Sequence, residues 1–369
     1  MEQAPTYWDY LELDRLLQLQ GGLEHDDRAM LADELHFIVV HQTYELWFKL
    51  VLRCLRIGRD ALGAPRVAEE AIPTVVHYLR RVNAILDLGT AQFAVMETMT
   101  PQGFLDFRDK LVPASGFQSF QLRELEILIG LDDADRVRLG NVDPLSHIEQ
   151  AALDTPAGRL AKARITAARS ERTVRDCLDD WLFRTPIQGS SPGDPDDDAA
   201  VAGFLSEYLG RMDQNHELAL GRMLAILGGA DPAPLHKRFT TMRDQARAFL
   251  NGEDVPEPLR ARRRRIRAGA LFIESYRELP LLSWPRLLLD TVVELEEQFV
   301  LFRHRHARMV ERMIGRRVGT GGSGGVEYLD KTTEYRMFRD LWAIRTVLLP
   351  KSEVPALRNP AFYGFSAAR

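Results

Sequence analysis

Two cysteines in 369 residues, Cys54 and Cys177, are too few for a disulfide framework or a cysteine-built metal site. Any bound metal therefore has to rely on histidine or carboxylate. Apolar runs of the ~20 residues that span a bilayer are missing. Met1 to Tyr10 carries acidic and aromatic residues where a signal peptide needs a basic start and an apolar stretch. The expected setting is the cytoplasm, with no membrane partner. Charge of one sign is missing too: a net charge of −5 and a pI near 6.0 give no general attraction to a phosphate backbone, so nucleic acid is not an expected partner. Lysine is scarce, six against 42 arginines. The run Arg260 to Arg267 (RARRRRIR) reads as an anion-binding patch, or else as a solvated helix face or an inter-subunit pairing surface.

Strand-like alternation is also absent. Apolar residues recur every three to four positions through long segments thin in Gly and Pro, so the chain reads as all-α, a large helical bundle. Helices are expected near 7–20, 27–60, 70–97, 101–112, 116–130, 145–152, 157–182, 198–226, 234–250, 258–277, 284–315 and 326–346. The spans longer than 30 residues suit helices packed lengthwise. The breaks at 184–198 (with GSSPGDPDDD) and 227–257 (with GGADPAP) read as a loop or a variable helical excursion within one domain, 1–369. Gly319 to Gly325 (GTGGSGG) holds five glycines in seven residues after a long helix and can bend over a site. It lacks the lysine of a P-loop and follows a helix where a dinucleotide fold needs a strand, which sets nucleotide binding aside.

Within 284–315, Phe299, Phe302, His306, Met309, Val310 and Met313 form an apolar stripe at spacings of three and four, and His306 sits in its middle. A histidine there is either a hydrogen-bonded core residue or the single nitrogen ligand that a haem iron needs beside an apolar slot. His304, about 200° away around the helix, faces the polar side. In 27–60, Phe37, His41, Glu45 and Phe48 share one side, again with a histidine between aromatics. Arg108, in FLDFRDK, suits a carboxylate clamp beside Phe104, or a surface ion pair with Asp106 or Asp109. Thr320 offers a hydroxyl in the glycine loop. The Glu-x-x-His pairs of di-iron bundles are missing; only Asp33-x-x-His36 and Asp213-x-x-His216 come near them.

Five stretches carry a resemblance that covers nearly the whole chain and is thinnest over 130–255. They are YWDYLELDRLL at 7–17, HQTYELWFKLVL at 41–52, FLDFRDKLVPASGFQSFQLRELE at 104–126, LFIESYRELP at 271–280 and HRHARMVERMIGRRVGTGGSGG at 304–325. The sequence resembles the haem-dependent tryptophan 2,3-dioxygenase family.

The resemblance implies haem b, ferrous in the active state, buried between long helices, with O2 as co-substrate. His306 matches the axial ligand of the haem iron, and Ser115, Gly116 and Phe302 match positions close to the haem. His41 matches the histidine that bonds the indole N–H, Arg108 the carboxylate clamp, Phe104 and Phe37 its aromatic neighbours, and Thr320 the loop hydroxyl. Tyr7 and Tyr10 match residues that 1–20 lends to a neighbouring subunit, implying a helical homotetramer, a dimer of dimers. Family members usually carry Trp where this chain has Phe302, and GTGGSSG where it has GTGGSGG.

The implied reaction inserts O2 across the indole C2–C3 bond of L-tryptophan and gives N-formyl-L-kynurenine. The same scaffold is compatible with oxindole-forming mono-oxygenation of a modified indole, and the fold alone with a non-catalytic helical binding protein.

Overall fold

The computed structural model describes residues 4–68, 70–114, 116–138, 145, 148, 155–226, 231–320 and 324–364. Among them every regular element is helical, and the nearest thing to a strand is a single antiparallel bridge between Ile187 and Ser190. No helix is long and apolar enough to cross a membrane. The chain divides into two compact units, 1–56 with 80–171 and 295–337, and 57–79 with 172–294 and 338–369.

The helices are α1 (Tyr7–Tyr10), α2 (Leu13–Leu16), α3 (Ala32–Leu62), α4 (Ala71–Met96), α5 (Pro101–Arg108), α6 (Phe120–Ile129), α7 (Pro156–Ser170), α8 (Val174–Phe183), α9 (Asp197–Ile226), α10 (Ala233–Asn251), α11 (Glu257–Ser275), α12 (Ser283–Ile314), α13 (Val326–Thr332) and α14 (Arg339–Val347). Their starts follow capping chemistry. Thr100 and Thr155 accept the backbone N–H of the third helical residue, with proline at the first position of α5 and α7. Ser119 caps α6 in the same way, so that helix begins four residues later than the apolar period alone suggests.

Three expected helices are interrupted. Residues 7–20 form two short turns separated at Glu12, whose φ is +49°. The span 157–182 divides into α7 and α8 because Thr173 and Asp176 close a capping box, which starts a new helix rather than continuing the old one. The span 326–346 divides into α13 and α14: the Met337 N–H donates to the Glu296 carboxylate, so a tertiary partner replaces a helical one. The expected helix at 145–152 lies largely outside the described residues; Leu145 and Ile148 are helical and buried against Ile127, Ala161 and Ile165.

In the first unit, Tyr44, Phe48, Phe93 and Phe302 gather from α3, α4 and α12, with ring centroids 5.1–6.2 Å apart. Gly89 on α4 packs against this cluster, and its carbonyl accepts the Tyr44 hydroxyl at 2.7 Å. Fully burying each such ring stabilises by roughly 1.5–3 kcal/mol, so the cluster is a firm wall.

In the second unit the arginine run lies on α11. Arg260 and Arg262 lie on an exposed face, whereas Arg263, Arg265 and Arg267 meet aspartates from the same unit. Arg263 donates to Asp179 and Asp340, Arg265 to Asp197, and Arg267 to Asp254 and Asp340, with Arg265 and Arg267 themselves buried. Partners 13 to 84 positions away supply the neutralising charge.

Candidate active site

All the groups described below belong to the first unit. Phe37 and His41 stand one turn apart on α3, their ring centroids 4.0 Å from each other. The His41 Nδ1 lies 2.8 Å from the Phe37 carbonyl oxygen. A carbonyl only accepts, so Nδ1 carries the proton and Nε2 is left with a lone pair. The His41 side chain keeps an accessible edge, and desolvation by the protein packed around the ring pushes its pKa below the usual histidine value, against the weaker opposing effects of that carbonyl and of Glu45. Phe37 also faces Phe107 at 5.6 Å and Phe104 at 5.9 Å on α5.

His306 projects from α12. Its ring lies parallel to that of Phe93, within 4°, at 5.4 Å, and Phe302 is 6.2 Å away. Burial lowers its pKa to about 4, helped by the charges of His41, Arg123 and Arg303. No described residue hydrogen-bonds either ring nitrogen. At neutral pH His306 is an uncharged imidazole with a lone pair to donate.

Both histidines line one cavity of about 190 Å³, far larger than the ~15 Å³ that one water needs. Met96, Met309, Val310, Met313 and Ile314 give it an apolar wall. Phe37, Phe104, Phe302, Arg108, Gly116 and Thr320 line it as well. Arg108 does not form an ion pair with Asp106 or Asp109. Its Nη2 donates to the Val318 carbonyl at 2.6 Å, which leaves further guanidinium donors without a carboxylate among the described residues. Gly116 leaves open space where a Cβ would stand. Ser115 and loop residues 321–323 lie outside the described residues. Tyr7 and Tyr10 are 71% and 79% exposed and do not line the cavity of their own chain.

Residues 1–348 match the family model described as tryptophan 2,3-dioxygenase. The chain belongs to the tryptophan 2,3-dioxygenase family. It is 46% identical to a protein of Sorangium cellulosum named tryptophan 2,3-dioxygenase, over 98% of this chain and 87% of that one. It is also 46% identical to tryptophan 2,3-dioxygenase 2 of Ralstonia nicotianae, over 98% of both chains. A tryptophan 2,3-dioxygenase of Anopheles gambiae is 33% identical over 97% of this chain and 89% of its own length.

One feature of this family member escaped sequence reasoning. Glu126 on α6 is fully buried and accepts from three arginines: Arg123 at 2.8 and 3.0 Å, Arg136 at 2.6 Å and Arg303 at 3.0 Å. Burial alone would raise its pKa, but the guanidiniums of Arg123, Arg303 and Arg136 hold it down at about 2. Asp133, at the surface, adds a 3.4 Å contact to Arg136 but is shared with Arg169 at 3.3 Å, so guanidiniums outnumber carboxylates in these contacts. Arg123, Glu126 and Arg303 line the cavity, which places excess positive charge beside an apolar wall. The available signal was a charged stretch, RELE, on a helix whose period puts both faces in the core.

Proposed function

We propose that the chain catalyses insertion of both atoms of O2 across the indole C2–C3 bond of L-tryptophan, giving N-formyl-L-kynurenine, with haem b held by His306. The supporting observation is that two neutral imidazoles on different helices open into one apolar cavity, with Arg108 at its edge free of any carboxylate.

The residues present fit a haem. His306 supplies a neutral nitrogen donor with no competing protein hydrogen bond, Met309, Val310 and Met313 supply an apolar face, and Phe93 fixes the imidazole plane by stacking. Arg123 and Arg303 carry the excess positive charge that suits the haem's carboxylates. Ser115 and Gly116 would lie alongside. Bound in its ferrous state, haem supplies the activation of O2 that no side chain here provides.

The protein's own work is orientation and exclusion of water. The Nε2 lone pair of His41 accepts the indole N–H while Phe37 and Phe104 flank the ring. A carboxylate binds the Arg108 guanidinium through paired charged hydrogen bonds, and the Thr320 hydroxyl meets the polar end of the substrate. The lowered pKa of His41 makes it a weak base, so it positions the indole N–H and does not remove its proton. Tyr7 and Tyr10 reach the pocket of a neighbouring subunit in a homotetramer, a dimer of dimers, acting in the cytoplasm.

The test is to load the purified protein with haem, reduce it, add L-tryptophan under oxygen, and record the visible spectrum and the product mass. A Soret band and a gain of two oxygens are expected. A gain of one oxygen, or a loaded protein with no turnover, overturns the reading.

A further inference from the structure

Arg108 ends α5, and a 3-10 turn, Asp109–Leu111, follows at once. Lys110 in that turn does not point its charge at the cavity. Its Nζ donates to Glu34 Oε2 at 2.9 Å and to Glu24 Oε1 at 3.2 Å. Glu34 is only 3% exposed and sits in the first turn of α3, three residues before Phe37 and seven before His41, on the same face. Among the described residues Lys110 is the only hydrogen-bond partner of this buried carboxylate. A second contact joins the same two helices: Asp33 lies over Gly103, where a Cβ would stand 2.0 Å from Asp33 Oδ2. The start of α3 is thus fixed to α5 on both sides of Phe104 and Arg108.

We infer that Lys110, through Glu34, is a positioning residue that fixes the Arg108 segment against the helix carrying Phe37 and His41. It thereby sets the spacing at which the ring and the carboxylate of an indole amino acid are held together. The pairing has a further effect. Two carboxylates neutralise a cation two residues from Arg108, so the carboxylate of the substrate finds one guanidinium and no rival ammonium. Glu24 extends the brace to the segment preceding α3, and because that contact is exposed it is the more easily screened arm. The inference rests on the proposed binding of L-tryptophan in this cavity.

The test compares haem-loaded wild type with Lys110→Met, Lys110→Arg and the neutral pair Glu34→Gln/Lys110→Met. Calorimetric Kd values for L-tryptophan and for 3-methylindole, which has no carboxylate, are measured alongside kcat. Misplacing a clamp by a fraction of an ångström predicts a loss of about tenfold in L-tryptophan affinity for Lys110→Met, with kcat within about twofold. The Kd of 3-methylindole should stay within about twofold, Lys110→Arg should recover most of the loss, and the neutral pair should bind no worse than Lys110→Met. The pair also removes the stranded buried carboxylate, so it reports on positioning even where Lys110→Met folds poorly.

Equal losses for both ligands, or no loss, or no recovery by arginine, overturn the brace. A wild type that binds L-tryptophan in this Lys110-dependent way but yields no dioxygenated product overturns the catalytic reading and leaves the brace standing. A wild type that binds no L-tryptophan overturns both.

Discussion

Replacing Glu126 by glutamine keeps the shape of the side chain and removes its charge. Arg123 and Arg303 then have no carboxylate partner among the described residues, Arg136 keeps only its surface contact with Asp133, and the new amide turns an N–H group toward guanidinium donors. The magnitude follows from the depressed acidity. A carboxylate held at about 2 against 4.5 in the unfolded chain favours the folded state by about 3 kcal/mol, at ~1.4 kcal/mol per unit. That agrees with the roughly 3–5 kcal/mol lost when one partner of a buried ion pair is removed. Because the folded value is the lower one, this contribution is complete above about pH 4.5 and is lost as the pH falls toward 2. Urea unfolding of the haem-free wild type and Glu126→Gln, followed by helical circular dichroism, should show a gap of about 3 kcal/mol that is flat from about pH 7 to 5 and narrows below. A gap under about 1 kcal/mol at neutral pH, or one that persists unchanged into acid, refutes the argument.

Three further outcomes follow from the site. His306→Ala should abolish stoichiometric haem binding, seen as loss of the Soret band; full haem retention removes His306 from the ligand role. Arg108→Ala should raise KM for L-tryptophan at least tenfold, since hydrogen bonds to charged groups are worth about 1.5–3 kcal/mol, and should affect an indole without a carboxylate far less. Equal effects on both refute a clamp. Because burial holds the pKa of His41 below 6.5, the acceptor nitrogen is already available at that pH. The profile of kcat/KM should show its acid limb only below pH 6.5, and His41→Gln should remove that limb; an inflection above 6.5 assigned to His41 contradicts a lowered pKa.

The helical architecture was legible because a 3.6-residue period survives in long segments whatever they pack against. The expected spans for α3, α4, α9 and α12 agree with the structure to within a few residues. The misreadings have separate causes. Thr173 followed by Asp176 was a readable capping signal inside an otherwise unbroken period. The break before α14 was not readable, because it depends on Glu296, 41 positions away from the Met337 N–H that it accepts. The arginine run misled for the same reason: Asp179, Asp197 and Asp340 reach α11 from other elements, and a run of like charge carries no trace of partners so distant.

The cavity divides along the same line. His306 on its apolar stripe and His41 between aromatics were visible because each depends on one helix, whereas the Arg108 guanidinium held by the Val318 carbonyl and the environment of Glu126 arise only where several elements meet. That buried cluster sets the charge along one side of the cavity. Desolvation is the main reason His306 binds protons weakly, and the charges of Arg123 and Arg303 act in the same direction, so the imidazole is an uncharged nitrogen donor at neutral pH. The excess of guanidiniums in the cluster leaves buried positive charge that an anionic group entering the cavity would neutralise. A ligand that binds only the folded state stabilises it by mass action, and carboxylates on such a ligand would also lie near the guanidiniums of Arg123 and Arg303. The stretch QLRELE holds none of the residues read as touching substrate, yet its Arg123 and Glu126 line the cavity, and Glu126 ties α6 to Arg303 on α12.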